Sequence, residues 1–155
     1  MIAIREFQPG DEAALRAVFE SSVHGIERRD YTQVQVDAWA PREHHPEAWT
    51  ARMRGLAPFV ALRDGVAVGY ADLQAAGDID HFYVAAEAGG QGVGGCLMRR
   101  ILAQALASQL AELTSHVSLT AQPFFAHFGF EIVAHRIVNV SGVDMRNVAM
   151  RKALR

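Results

Sequence analysis

The chain has 155 residues, 50% apolar and 21% charged, with a formal net charge of −2. These numbers fit one globular domain with a sizeable core over residues 1–155. They give a nucleic-acid partner no electrostatic support, and no apolar run approaches the ~20 residues of a membrane span. The single cysteine, Cys96, excludes an internal disulfide and suits a reducing cytoplasm, and the first dozen residues hold acids rather than a leader's apolar core.

Ile2 to Phe7 alternates apolar and polar residues and predicts a half-buried strand. Pro9-Gly10 ends it, and Asp11 is placed to cap a helix carrying Ala14, Leu15, Val18 and Phe19 on one face, fading near Gly25. Residues 24–56 are irregular and rich in charge, histidine and tryptophan. Thr32 predicts the cap of a short helix through Trp39, and Pro46 the start of another through Met53. His44-His45 lacks the spacing of zinc ligands, and no metal is expected. Pro58–Leu62 and Val66–Leu73 read as strands joined by Asp64-Gly65, a strong hairpin signal. A turn at Ala75-Ala76-Gly77 leads into an apolar, aromatic strand, Ile79 to Val84.

Gly89-Gly90-Gln91-Gly92-Val93-Gly94-Gly95 follows, and then a helix with Val93, Leu97, Ile101 and Ala105 in one row and Met98, Leu102, Leu106 and Leu110 in the next. The first turn of a helix carries amides without intrahelical partners and partial positive charge. Glycines give a ligand close access to them, so the junction predicts an anion cradle, most often for phosphate. No lysine or arginine lies between Asp78 and Met98, which leaves the work to backbone amides. Gly90-x-Gly92-x-x-Gly95 with Glu112 also matches a dinucleotide fingerprint, but that motif needs the strand to run directly into the first glycine and needs repeated βαβ units. Beyond the helix, Leu113–Leu119 reads as a strand parallel to Ile79–Val84, Ala121–Phe128 as a short helix stopped at Gly129, and Glu131–Val140 with Asp144–Met150 as a closing hairpin around Ser141-Gly142.

Gln91-Gly92-Val93-Gly94-Gly95-Cys96 resembles the acetyl-coenzyme A signature of the GNAT superfamily of N-acetyltransferases, Gln/Arg-x-x-Gly-x-Gly/Ala, with cysteine at the last position. Tyr83-Val84 with Glu87, and Ala121-x-x-Phe124-Phe125-x-x-x-Gly129-Phe130, extend the resemblance over residues 78–130. It implies an α+β, three-layer fold. That fold has a mixed, mostly antiparallel sheet of about seven strands, a splayed parallel pair at the fourth and fifth, and helices on both faces. It implies acetyl-coenzyme A as cosubstrate, held by Phe82, Tyr83 and Val84, by Gly89, Gly90, Gln91, Gly92, Val93, Gly94, Gly95 and Cys96, and by Ser118, Phe124 and Phe125. Residues 24–56 become the lid over an amine or aminoacyl acceptor, with His24, Arg28, Arg29, Asp30, Tyr31 and Trp39 as candidate contacts. A homodimer is compatible with this plan.

Acetyl transfer from a thioester to an amine needs loss of the ammonium proton, a donor for the oxyanion and correct alignment. Strand alternation puts Asp78, Asp80 and Phe82 on one side and Ile79, His81 and Tyr83 on the other. Asp80 and Asp78 match positions where the family carries its general base, with His81 ranked third. The family's tyrosine acid falls at Phe125, and an asparagine often found at the end of the fifth strand falls at Ser118. These departures keep open a second expectation, a degenerate domain that binds coenzyme A or an acyl-coenzyme A as a sensor. Cys96 reads as a small packed residue, since direct transfer needs no covalent intermediate.

Overall fold

The computed structural model describes residues 1–155. Its strands are β1 (Ile2–Glu6), β2 (Phe59–Arg63), β3 (Val66–Ala71), β4 (Asp78–Ile79), β5 (Phe82–Val84), β6 (Glu112–Ser118), β7 (Glu131–Val140) and β8 (Val143–Ala153). Its helices are α1 (Glu12–Gly25), α2 (Gln33–Trp39), α3 (Pro46–Leu56), α4 (Val93–Ala107) and α5 (Gln122–His127). The α+β class with helices on both faces is as expected. No helix is long and apolar enough to cross a membrane.

The expected single sheet of about seven strands is instead two four-stranded sheets, ordered β1-β2-β3-β5 and β4-β6-β8-β7. The expected continuous strand from Ile79 to Val84 is broken at Asp80-His81. Before the break, β4 runs parallel to β6, with Asp78 opposite Thr114 and Ile79 opposite Ser115. After it, β5 runs antiparallel to β3, with Tyr83 opposite Tyr70. β5 and β6 are therefore unpaired, and a cleft opens between them.

The break is made by Asp72. Its carboxylate, on a fully buried residue, accepts from the Asp80 amide at 3.1 and 3.2 Å and from the His81 amide at 2.6 Å. It also accepts from Gln74 Nε2 at 2.7 Å. Those amides turn toward one side chain instead of a neighbouring strand, so strand pairing breaks there. Desolvation pushes the Asp72 carboxyl above its ordinary value, opposed by the hydrogen bonds from Gln74, His81 and Asp80.

Two cores lie on opposite faces of the first sheet. Phe59, Ala61 and Val68 pack against Val93, Leu97 and Ile101 of α4. Val60 and Tyr70 pack against Leu15, Val18 and Phe19 of α1, with Val36 of α2 and Trp49 and Met53 of α3. The capping details divide. Thr32 forms a full capping box with Gln35 at the start of α2, as its position predicts. Asp11 does not cap α1: its carboxylate takes two hydrogen bonds from Arg5, at 2.8 and 2.9 Å, and one from the Gln8 amide. The left-handed turns fall at Asp64-Gly65, Gly129 and Ser141-Gly142 as the sequence requires.

Candidate functional site

The cradle forms at the start of α4. Gly92 caps the helix at φ 84°, a left-handed conformation that favours glycine. The Cys96 amide bonds to the Gly92 carbonyl at 3.1 Å, so the amides of Val93, Gly94 and Gly95 before it have no partner within the helix. Gly94 is needed for room: a Cβ there would lie 3.1 Å from Cε1 and Cζ of Phe124. The cradle is not purely backbone. Arg99, one turn along, folds back until its Nη1 is 3.2 Å from where a Gly95 Cβ would sit, and its Nη2 lies 3.7 Å from Cys96 Sγ. The absence of cations up to Met98 in the chain hides this positive charge, because the helix returns Arg99 to its own first turn.

From the cradle the cleft runs between β5 and β6. It holds about 530 Å³ of empty space, part of it open to solvent, and is lined by Phe82, Val84, Gly94, Phe124 and Phe125 together with Ser22, Ile26, Glu27, Thr120 and Ala121. Phe82, Phe124 and Phe125 form a mutual cluster with ring centroids 5.4–5.8 Å apart. Phe125 is only 2% exposed, so its ring is a wall of the cleft and not a side chain open to it. A smaller pocket adjoins, lined by Glu27, Trp39, Asp80, Phe82, Tyr83, Ser115, His116, Val117, Ser118, Ala121 and Phe125. The two cavities share Glu27, Phe82, Ala121 and Phe125.

The sequence-derived residues fall into three groups. Phe82, Tyr83, Val84, Gly94, Ser118, Phe124, Phe125 and Trp39 converge on these cavities. Trp39 Nε1 donates to Tyr83 Oη at 3.2 Å, and burial pushes the Tyr83 phenol well above its ordinary value. Asp80 reaches the smaller pocket, yet its carboxylate is held by Arg52 at 2.7 Å and its side chain is 44% exposed. Asp78 is exposed and shares with Asp80 an outer depression beside Thr114 and His116. His81 keeps to the side of Tyr83, as alternation predicts. It packs against Phe19, Trp49, Tyr70 and Tyr83, with Nδ1 2.9 Å from Tyr70 Oη. Desolvation there pushes its pKa down to about 4.

The third group lies elsewhere. His24 Nε2 is 2.7 Å from the Ala40 carbonyl, a tie between α1 and the end of α2. Arg28, Arg29 and Asp30 are exposed and line neither of these two cavities. Tyr31 is 8% exposed, donating to the Arg146 carbonyl and accepting from the Leu119 amide at 3.0 Å, while Gln35 Nε2 donates to the Asp144 carbonyl at 3.0 Å. Burial pushes the Tyr31 phenol up to about 12.

Glu27 is the residue the sequence did not single out. It sits in a short 3-10 turn after α1 and is 5% exposed. Its Oε2 accepts from Ser118 Oγ at 2.7 Å. Desolvation raises its pKa above the ordinary carboxylate value, opposed by hydrogen bonds from Ser118 and Thr120. A signal was present: Phe19, Val23 and Glu27 follow at intervals of four, on the buried row of α1 continued by one turn.

The architecture and the sequence have relatives. An acetyltransferase (GNAT) domain model matches residues 27–154. The uncharacterized N-acetyltransferase YafP of Escherichia coli (strain K12) is 30% identical over 150 residues, covering 97% of this chain and 95% of YafP. A GCN5-related N-acetyltransferase from Rhodopseudomonas palustris superposes with a TM-score of 0.93 at 32% identity, covering 98% of this chain and 95% of that one. YncA from Salmonella typhimurium, a putative acetyltransferase solved with its cofactor acetyl-CoA, shares the fold at a TM-score of 0.70 and 20% identity, covering 100% and 95%. The domain match spans most of the chain and the two nearer relatives span nearly all of it, so this protein belongs to the GNAT family and is an acyltransferase of the N-acetyltransferase type.

Proposed function

We propose that this enzyme binds acetyl-coenzyme A and transfers its acetyl group directly to the primary amine of a small molecule or an aminoacyl or peptide acceptor. The observation that carries this is that the two cavities share part of their walls. One begins at unpaired amides beside Arg99 and is walled by phenylalanine; the other is walled by Trp39, Tyr83 and two carboxylates; they meet at Phe82, Phe125 and Glu27. An anionic cofactor with a long apolar arm suits the first, and an ammonium suits the second. The acetyl-CoA bound to YncA and the coenzyme A bound to PaiA from Thermoplasma acidophilum support the same assignment through the shared fold.

In this scheme the cradle amides and Arg99 hold the pyrophosphate, and the open edge of β5 offers backbone groups to the pantetheine amides. The thioester then lies by Phe125, with the amine entering from the Trp39 side. Phenylalanine donates no proton. Coenzyme A leaves as a thiolate, whose conjugate acid is near that of a free thiol, about 8.5.

Release of free thiol from acetyl-coenzyme A, followed with 5,5′-dithiobis(2-nitrobenzoate) across a panel of primary amines, tests the proposal. Release that requires both enzyme and amine is expected. Tight coenzyme A binding with no release across the panel would mark a binding module instead. Arg99→Ala is expected to weaken coenzyme A binding about fivefold, roughly 1 kcal/mol, at low salt, with a smaller effect at high salt. Equal affinity at both ionic strengths would remove Arg99 from the cradle.

A further inference from the structure

We infer that Glu27 is the general base of the transfer reaction, taking the proton of the acceptor's ammonium where the two cavities meet; this rests on the acetyl-transfer proposal above. Glu27 is the only ionisable side chain that lines both the cofactor cleft and the acceptor pocket. It is 95% removed from solvent, and the ion pairs of the molecule leave it out. A carboxylate buried without a cation is costly, and an incoming ammonium relieves that cost.

Its orientation is set. Ser118 Oγ accepts from the Ala121 amide at 3.0 Å, which fixes the hydroxyl so that its proton goes to Glu27 Oε2 at 2.7 Å. The carboxylate's remaining acceptor capacity, beside Thr120, is left for the amine. Around it stand Arg29, Asp30 and Tyr31 from its own segment, Tyr83 from β5, Asp80 from the break, His116 from β6 and Thr120 after β6. Desolvation outweighs these neighbours and raises its proton affinity toward neutrality, where a base is most effective.

The sequence-derived bases fit less well. Asp80 is engaged by Arg52, Asp78 faces the outer depression, and His81 is a weak base locked against Tyr70. The pocket has Glu27 and Asp80 in its wall and no lysine or arginine, which selects a cationic amine over an anionic acceptor.

The step balances as follows. Glu27 carboxylate takes one proton from the ammonium, leaving the free amine. The nitrogen lone pair attacks the thioester carbonyl carbon, forming the C–N bond. Collapse breaks the C–S bond and expels the thiolate. The second nitrogen proton passes to the thiolate or solvent, and protonated Glu27 releases its proton to solvent.

The test compares wild type with Glu27→Gln, which keeps the side-chain shape and an oxygen for Ser118. Acetyl-coenzyme A and a panel of 2-phenylethylamine, 1,5-diaminopentane and glycinamide are used between pH 5.5 and 9.5. The variant is expected to lose about 100-fold in kcat/KM near pH 7, with coenzyme A affinity unchanged. The loss shrinks at alkaline pH, where the amine is already free. Wild type must show an acid limb above the ordinary carboxylate range that is missing in the variant. Ser118→Ala removes a bond that stabilises the charged form, so it must move that limb to higher pH; this arm stands even if Glu27→Gln misfolds. A folded Glu27→Gln as fast as wild type, or an unmoved limb in Ser118→Ala, overturns the assignment and leaves acetyl transfer intact. Absence of thiol release by wild type with every amine overturns both.

Discussion

Replacing Asp72 by alanine is expected to destabilise the fold by about 3 kcal/mol and to disorder the route between the two cavities. The carboxylate satisfies the Asp80 and His81 amides and Gln74 Nε2. Alanine leaves two part-buried backbone donors without their partner, each costing about 1–3 kcal/mol. For a domain of this size that lowers the melting midpoint by about 10 °C. Urea unfolding and thiol release should fall together, because the same residue supports the sheet junction and the cleft beside it. A variant within 0.5 kcal/mol of wild type (about the size of an ordinary surface change) would show that the break does not depend on this side chain.

Asp72→Asn adds a pH signature. Burial raises the Asp72 carboxyl in the folded state. The folded protein therefore holds that proton more tightly than the unfolded chain, whose carboxyl sits near its ordinary value of about 3.9. This contribution is fully present below the unfolded value and is lost as pH rises through the folded one. The stability advantage of wild type over Asp72→Asn should thus be larger at pH 4 than at pH 7. An advantage that grows with pH would mean that hydrogen bonding, not burial, dominates at Asp72.

Gly94→Val is expected to weaken coenzyme A binding more than tenfold, or about 1.4 kcal/mol. The new Cβ would start 3.1 Å from Phe124, tighter than ordinary contact. Phe124 has little room to yield, since its ring is tied to Phe82, Phe125 and Phe128 at 5.1–5.8 Å. The γ-methyls therefore occupy the cleft where it leaves the cradle. Titration calorimetry with coenzyme A measures the loss, and circular dichroism verifies the fold. Unchanged affinity in a folded variant would move the phosphate site away from this helix start.

The proposed cofactor side of the site was legible in the sequence because its information is local. Gly92 and Gly94 act through their own missing side chains, and the apolar rows of α4 follow its helical period. The acceptor side was not, because it is built from distant pairs. The break at Asp80-His81 comes from Asp72, eight residues earlier, and its amides carry no mark of it. Glu27 stands in Glu27-Arg28-Arg29-Asp30, a run whose composition suggests solvent. The row of Phe19 and Val23 points to its burial, and its partner Ser118 comes from 91 residues away. Tyr31 and His24 share the opposite fate: side chains suited to a substrate are spent on the backbone carbonyls of Arg146 and Ala40.

The Tyr31 and Gln35 ties also bear on how quickly an acceptor is taken up. They fasten the start of α2 to β8 at Arg146 and Asp144 and to the end of β6 at Leu119. Fixing a free segment costs about 1–2 kcal/mol per residue in conformational entropy. Here that cost is met once, when the chain folds. In the proposed scheme an arriving amine would find this segment already fixed, and none of its binding energy would go to ordering it. Discrimination between amines would then rest on the shape of a preformed opening.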